Sequence, residues 1–551
     1  MRDLVILGVA ALGLSMSSAA HAADGPVVDA PAGVVQGLTE DGVSVFKGLP
    51  YAAPPVGAAR WTPPKPAPKW PGVRDAARFG PACLQPLSGP GNIYADDPAS
   101  MSEDCLSLNV WAPKGAKKAA VLVWIHGGAL ATGSSQEAIY DGAKLAARGI
   151  VVVSINYRLG VLGYLAHPGL SAESPLGISG NYGLLDQIEA LRWIRRNISA
   201  FGGDPSRVTI AGESAGGLSV MYLMASPQAR GLFSQAIAES AYMISTPELK
   251  QKRFGEMPAE EAGVRLATKL HAADIAALRA MNPDELTKAA AAAGFAPFGA
   301  VDGHVLPRQL VDVLDRQEQA SVPLLAGFNS GEIRSLRMLA LPAPASAAAY
   351  EATVREHYLD LADEYLKLYP SSHLEESVVA ATRDGMYGWT AERLVRAQAA
   401  LGQPAFLYRF DHGFPAADGA GLHAFHASEV PFVFGTLDRT PPAWPKAPAA
   451  PSETILSDAM VGYWSSFART GSPTAAGAPA WPAFGVTEAY LAFTDAPHPA
   501  TRALGGAYAL DEAVVCRRRA SGDMAWNWNV GLASPRLPPP TPACGGSKLR
   551  P

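Results

Sequence analysis

Apolar residues along the chain fall into short runs separated by amphipathic stretches, and the two alternate over most of its length. Leu106 to Trp111, Ala119 to Ile125, Gly149 to Asn156, Val208 to Ala211, Gln235 to Ala238, Pro323 to Gly327 and Ala405 to Phe410 read as strands. Gly149 to Asn156 is apolar almost throughout, as expected of a strand buried on both faces. Leu184 to Asn197 has helical spacing instead, with Leu185, Ile188, Leu191, Trp193 and Ile194 on one face. Strands alternating with helices predict an α/β fold with a large, mostly parallel central sheet flanked by helices. Val27 to Val35 and Val43 to Phe46 read as a small hairpin ahead of it. The Ala-rich helical stretches Pro247 to Arg316 and Ala343 to Leu401 do not belong clearly to the sheet. They are expected to be helical insertions over its C-terminal edge, where open α/β sheets bind ligands.

The two ends have a different character. Arg2, the apolar run Leu4 to Met16 and Ala20-His-Ala22 predict a signal peptide over residues 1–22, cleaved before Ala23. An uncleaved membrane anchor is the competing reading. No second apolar span occurs, so no membrane span is expected after cleavage. Prolines at 535, 538, 539, 540 and 542 predict an irregular tail over residues 531–551. Four cysteines, an even number, fit an oxidising compartment and an exported, periplasmic or secreted protein. Pairing by proximity gives Cys83 with Cys105 and Cys516 with Cys544; two other pairings stay open. The 551 residues are 48% hydrophobic, ample for a large core. A net charge of -5 without a basic stripe argues against a nucleic-acid partner. Oligomeric state is not legible.

The run Phe201-Gly-Gly-Asp-Pro-Ser-Arg-Val-Thr-Ile-Ala-Gly-Glu-Ser214-Ala-Gly-Gly217 carries the strongest chemical signal. It reads as strand, tight turn and helix, with Ser214 at the tip of a Gly-x-Ser-x-Gly turn. Gly212 and Gly216 let strand and helix approach closely, so the hydroxyl stands clear of the sheet. The helix aims its N-terminal N–H groups at developing negative charge. The pattern predicts a nucleophile elbow and acyl transfer. An ordinary strand-to-helix turn is the competing reading.

A serine nucleophile needs a base, an acid that orients it, and donors for the oxyanion. Trp124-Ile-His-Gly-Gly-Ala-Leu130 ends a strand ahead of the elbow and is similar to a His-Gly-Gly-Gly oxyanion loop. Gly128 and Ala129 are its expected donors, with Ala215 as the third. Ala129 in place of glycine predicts a stiffer loop and a narrower pocket. His426 is the candidate base and His423 a nearby competitor; spacing does not choose between them, and a surface or core-edge imidazole is the alternative for either. Glu332, just beyond the run Pro323 to Gly327, is the candidate acid; an exposed loop glutamate is the alternative.

Together these motifs resemble the type B carboxylesterases, the family of cholinesterases, bacterial para-nitrobenzyl esterases and the non-catalytic neuroligins. The resemblance covers Val27 to Phe493. It includes Phe46-Lys-Gly-Leu-Pro-Tyr-Ala-Ala-Pro-Pro-Val-Gly57, Glu103-Asp-Cys-Leu-Ser-Leu-Asn-Val-Trp111, Gly180-Asn-Tyr-Gly-Leu-Leu-Asp-Gln187, the elbow and Val301-Asp-Gly303. It implies an α/β-hydrolase domain over residues 23–530 and a Ser214, His426, Glu332 triad. His426 is chosen because Glu429 and Phe432-Val-Phe-Gly435 follow it at the family's spacing. The resemblance also implies a Cys83–Cys105 disulfide and a supporting role for Ser240. Glu239 stands where the family has glutamine, Ala427 and Ile333 where it has glycine, and Gly331 where it has an acid. The loop from Cys83 to Cys105 holds Tyr94 but no tryptophan, which disfavours a choline ester.

The implied activity is hydrolysis of small-molecule carboxylic esters through an acyl-enzyme, with no cofactor and no metal. A neuroligin-like binding module and an amide or thioester hydrolase are the alternatives. Arg334 and Arg337 lie just beyond Glu332. Facing the active site, they would favour a polyacid ester of the fumonisin type; facing solvent, they would carry no such meaning.

Overall fold

A computed structural model describes residues 25–89, 91–527 and 531–544. The predicted signal peptide lies outside them.

The core of the molecule is an eleven-stranded sheet. Its strands are β1 (Leu38–Glu40), β2 (Val43–Pro50), β3 (Ser107–Pro113), β4 (Ala119–Ile125), β5 (Val151–Ile155), β6 (Gly203–Glu213), β7 (Gln235–Glu239), β8 (Leu324–Asn329), β9 (Ala405–Phe410), β10 (Ala489–Phe493) and β11 (Pro497–Thr501). The spatial order is β1-β2-β3-β5-β4-β6-β7-β8-β9-β10-β11. All pairings from β5 through β10 are parallel, and the two edges are antiparallel. The fold is therefore that of an α/β hydrolase.

The alternation of side chains along each strand divides the interior in two. Val121, Val123 and Ile125 of β4 enter one core, while Ala120, Leu122 and Trp124 enter the other. Helices α1 (Tyr182–Asn197) and α2 (Ala215–Ala225) close the first core. Helix α3 (Pro451–Thr470) closes the second with Leu456, Met460, Trp464 and Phe467. Strands covered on both faces are largely apolar on both: β4 has no polar residue, and the one in β5, Ser154, is buried with its hydroxyl hydrogen-bonded to the Ser135 carbonyl.

Two expectations need correction. Val43 to Phe46 does not form a hairpin with the first residues. Val27–Ala30 pairs with Gly33–Gln36, and β2 joins the main sheet against β3. The second Ala-rich stretch is only in part an insertion over the site: its last helix, Trp389–Ala400, packs on β8 and β9. Over the described residues 531–544 the tail is irregular, as expected, and packed. Leu532 and Leu537 are buried, and the Leu537 N–H donates to the His357 carbonyl at 2.8 Å.

Disulfides join Cys83 to Cys105 and Cys516 to Cys544. The first closes the loop carrying Tyr94, and the second ties the tail to helix α4 (Ala507–Ser521). Among the described residues no helix is long and apolar enough to cross a membrane. Removing the second disulfide as Cys516→Ser/Cys544→Ser frees a loop of 28 residues' separation. It is expected to cost about 3–4 kcal/mol, read as a lower denaturant midpoint with ester turnover retained before unfolding.

Candidate active site

Strand β6 delivers Ser214 to the head of α2. The Ser214 backbone is held at φ 57°, ψ -120°, a region that non-glycine residues avoid. Its N–H donates to the Glu239 carbonyl at 3.0 Å, and its carbonyl accepts from Leu218 at 2.9 Å. The neighbouring glycines make this possible. A Cβ on Gly216 would stand 2.0 Å from the Ile125 carbonyl oxygen, and one on Gly212 would stand 2.6 Å from the same atom. Strand β4, strand β6 and helix α2 thus meet more closely than any side chain allows. Ala215 occupies the first helical position, where the N–H has no partner within the helix.

The segment after β4 turns back on itself. The Gly128 carbonyl accepts from Ala131 and Thr132, both at 2.9 Å. Gly128 lies at φ 98° and Ala129 at φ 55°, so the alanine here adopts a glycine-like backbone. Gly128 and Ala129 line a cavity of about 620 Å³, together with Ser214 and His426. Ala215 is fully buried beside Ser214 and is not part of the lining.

Glu332 opens a single helical turn, Glu332–Ser335, just after β8. It is fully buried, not an exposed loop residue. One carboxylate oxygen accepts from the Asn329 N–H at 2.8 Å; the other is hydrogen-bonded to His426 Nδ1. Two contacts join the acid's loop to the histidine's. The Gly331 N–H donates to the Ala424 carbonyl at 2.8 Å, and Asn329 Nδ2 donates to the Phe425 carbonyl at 2.8 Å. Gly331, where the family has an acid, fits tightly: a Cβ there would stand 2.7 Å from the Leu422 and Ala424 carbonyl oxygens. His423 points elsewhere, contacting Asp418 at 2.8 Å and Asp411 at 3.2 Å. Ser240 Oγ donates to Glu429 at 3.3 Å behind the site.

Three carboxyl groups, those of Glu213, Glu332 and Glu429, act on the imidazole, and Glu239 acts on two of them. His426 Nε2 lies 3.1 Å from Glu213 Oε1, although that oxygen has no well-aligned hydrogen bond. Burial lowers the basicity of His426, but Glu213 and then Glu332 outweigh it and lift its pKa to about 9. Burial, reinforced by Glu429 and Glu332, pushes Glu213 up to about 8. Burial and Glu332 push Glu429 up to about 7. Burial and Glu429 raise Glu239 well above the usual carboxyl range, against the opposing hydrogen bond from Trp464 Nε1 at 2.7 Å. A protonated Glu239 offers one donor and one acceptor, much as the glutamine it replaces does.

Motif reading passed over several contributors. Glu213 could have been found as the residue immediately before Ser214. Tyr94, whose hydroxyl lies 2.7 Å from Ser335 Oγ and 3.0 Å from the His426 carbonyl, has no local signal. Neither has Tyr387, whose ring centroid is 5.2 Å from that of His426. Arg334 and Arg337 do not line the cavity. Arg334 makes a two-pronged ion pair with Glu376, and Arg337 lies 3.1 Å from Glu375, so the basis for a polyacid substrate falls away.

An elbow serine on a mostly parallel sheet, facing an oxyanion-type loop and a carboxylate-paired histidine, defines a serine hydrolase of the α/β-hydrolase class. Comparison with known proteins narrows this. The carboxylesterase family model matches residues 24–506, and the chain belongs to that family. It is 38% identical over 473 residues to the fumonisin B1 esterase of Sphingopyxis macrogoltabida, covering 82% of this chain and 83% of that protein. It is 37% identical to the para-nitrobenzyl esterase of Bacillus subtilis, covering 83% and 92%. A solved para-nitrobenzyl esterase structure superimposes with a TM-score of 0.76 at 34% identity, over 88% of this chain and 99% of that one. The protein is a carboxylic-ester hydrolase.

The close approach at the elbow predicts its own sensitivity. Gly216→Ala must push α2 away from Ile125. Turnover of an activated ester is expected to fall about 100-fold or more, because a displacement near 1 Å costs that much. Normal kcat in a folded G216A variant would contradict the geometry.

Proposed function

We propose that Ser214, His426 and Glu332 form the triad of this esterase, with the N–H groups of Gly128, Ala129 and Ala215 as the oxyanion hole. The single observation supporting this most strongly is the buried Glu332–His426 pair on the same cavity as the strained Ser214. Ser214 Oγ attacks the ester carbonyl as His426 Nε2 takes its proton. The oxyanion is held by the three N–H groups. Collapse releases the alcohol, which receives that proton, and leaves an acyl-serine. Water then attacks with the same base, and the carboxylic acid departs. Glu332 holds Nδ1 and stabilises the imidazolium. Ser240 supports the arrangement through Glu429.

The disulfides and the predicted leader support export to the periplasm or beyond the cell. Residues 23–530 act as the hydrolase domain, with 531–551 as a tail tied back to it by the Cys516–Cys544 disulfide. The substrate of the fumonisin B1 relative is not transferred here, because neither Arg334 nor Arg337 lines the cavity.

Ser214→Ala is expected to reduce turnover of an activated ester by ~10³–10⁶ with the fold intact by circular dichroism. Near wild-type turnover in the variant would overturn the assignment of Ser214, whereas no turnover by the wild type would favour a binding module. The base must be neutral to accept a proton, so kcat/KM should rise with pH towards the His426 value of about 9. Glu213→Gln removes a neighbouring negative charge and lowers that pKa, moving the rise to lower pH. An unmoved profile would exclude Glu213 as the cause.

A further inference from the structure

The backbone of His426 is held from outside its own loop. His426 is buried, in the turn between Phe425, which bridges to Gly331, and the short helix Val430–Phe434. The Phe425 carbonyl accepts from the Ser428 N–H at 3.0 Å and the Ala427 carbonyl from the Val430 N–H at 3.1 Å. Among the described residues no backbone N–H donates to the His426 carbonyl between them. Buried backbone acceptors are nearly always paired. The donor here is the Tyr94 hydroxyl, at 3.0 Å, from 332 residues away in the chain.

The same hydroxyl reaches the acid's turn. It lies 2.7 Å from Ser335 Oγ, in the single helical turn that Glu332 opens. A hydroxyl has one proton and two lone pairs, so both contacts are satisfied at once when Tyr94 donates to the His426 carbonyl and Ser335 donates to Tyr94. Burial raises the Tyr94 pKa, and the charges of Glu213, Glu332 and Glu429 add to the rise against the Ser335 hydrogen bond, so the phenol keeps its proton. Its ring stands edge-to-face to the imidazole, 6.3 Å between centroids, and to Trp444, at 5.9 Å.

The loop that carries Tyr94 is braced. The Cys83–Cys105 disulfide and the pairing of Ala82–Cys83 with Met101–Ser102 close its base. Asp97 accepts from the Ser88 N–H at 2.9 Å across it, and Asn92 accepts from the Tyr94 N–H at 3.0 Å.

We propose that Tyr94 is a positioning residue for the triad, its hydroxyl fixing the turn of His426 against the turn of Glu332. The inference rests on the reading of His426 as the base. That base must take a proton from Ser214 and return it to the leaving alcohol, and a displacement near 1 Å costs about 100-fold. The ring has two side-chain torsions of its own, so its aim is only as good as the backbone beneath it. Acylation and deacylation use the same imidazole, so a loosened turn lowers kcat whichever step is slower.

The test reads kcat and KM for two esters of one alcohol, with a small and a bulky acyl group, alongside thermal melting. Tyr94→Phe keeps the ring and removes the hydroxyl. It is expected to lower kcat about 3–10-fold, by a similar factor for both esters. KM should stay within about twofold, because the ring that lines the cavity remains. Ser335→Ala, which removes the second contact, is expected to lower kcat less. In Tyr94→Phe/Ser335→Ala the loss should match that of Tyr94→Phe alone, because the two hydroxyls act through one chain of contacts. Wild-type kcat in Tyr94→Phe, whether KM or the melting temperature changes or not, would overturn the inference, as would fully additive losses in the double variant. Turnover that survives His426→Ala would instead count against the reading of the base itself.

Discussion

The site depends on one steric constraint, the contact of β4, β6 and α2 around Ser214. Because Gly212 and Gly216 bring backbone against the Ile125 carbonyl, the chain has no room to turn gently from strand to helix. The turn is taken up at Ser214, in a backbone region that costs about 1–3 kcal/mol. The parallel strands on either side, packed on both faces, hold that strain in place. Strand β7 contributes directly, since the Glu239 carbonyl receives the Ser214 N–H. The same contact sets Ser214 at the cavity.

A second constraint is electrostatic. Several buried carboxyl groups around one imidazole cannot all be ionised, because each pays desolvation and repels the next. The molecule answers by sharing protons among them. Glu239 and Glu429 are shifted upward, while Glu332 accepts hydrogen bonds from the Asn329 N–H and His426. The substitution of glutamine by Glu239, a departure from the family when read in sequence, keeps one donor and one acceptor once the group is neutral. Glu213 is shifted upward as well, and Glu213 and then Glu332 raise the basicity of His426.

Legibility differed from element to element for physical reasons. The runs that became β4 to β9 were readable because strands buried on both faces are apolar over most of their length. The boundaries were less so. Val208 to Ala211 is only the core of β6, whose polar first residues, Gly203 to Arg207, also lie in the strand. Val43 to Phe46 has an ordinary strand pattern, and nothing local says that it pairs with β3 rather than with the N-terminal residues. Ala129 and Ala427 resemble departures from a glycine pattern, yet both take positive φ, so the backbone shape is kept despite the residue change. Arg334 and Arg337 show the opposite failure: their nearness to Glu332 in sequence suggested the cavity, and glutamates some forty residues away hold them outside it.

By itself, the sequence determined the strand-and-helix alternation, the elbow serine and its oxyanion-type loop, because each is a local pattern of side-chain period or glycine freedom. Proximity also suggested both cysteine pairs, though not uniquely. Only the tertiary structure decided how Glu332 meets His426, since they lie 94 residues apart and are joined through backbone contacts that carry no residue signature. It also decided which acids line the cavity. Asp96, Asp97, Glu137 and Glu213 are ordinary acids in sequence and share a wall only once the disulfide loop, the turn after β4 and the end of β6 converge.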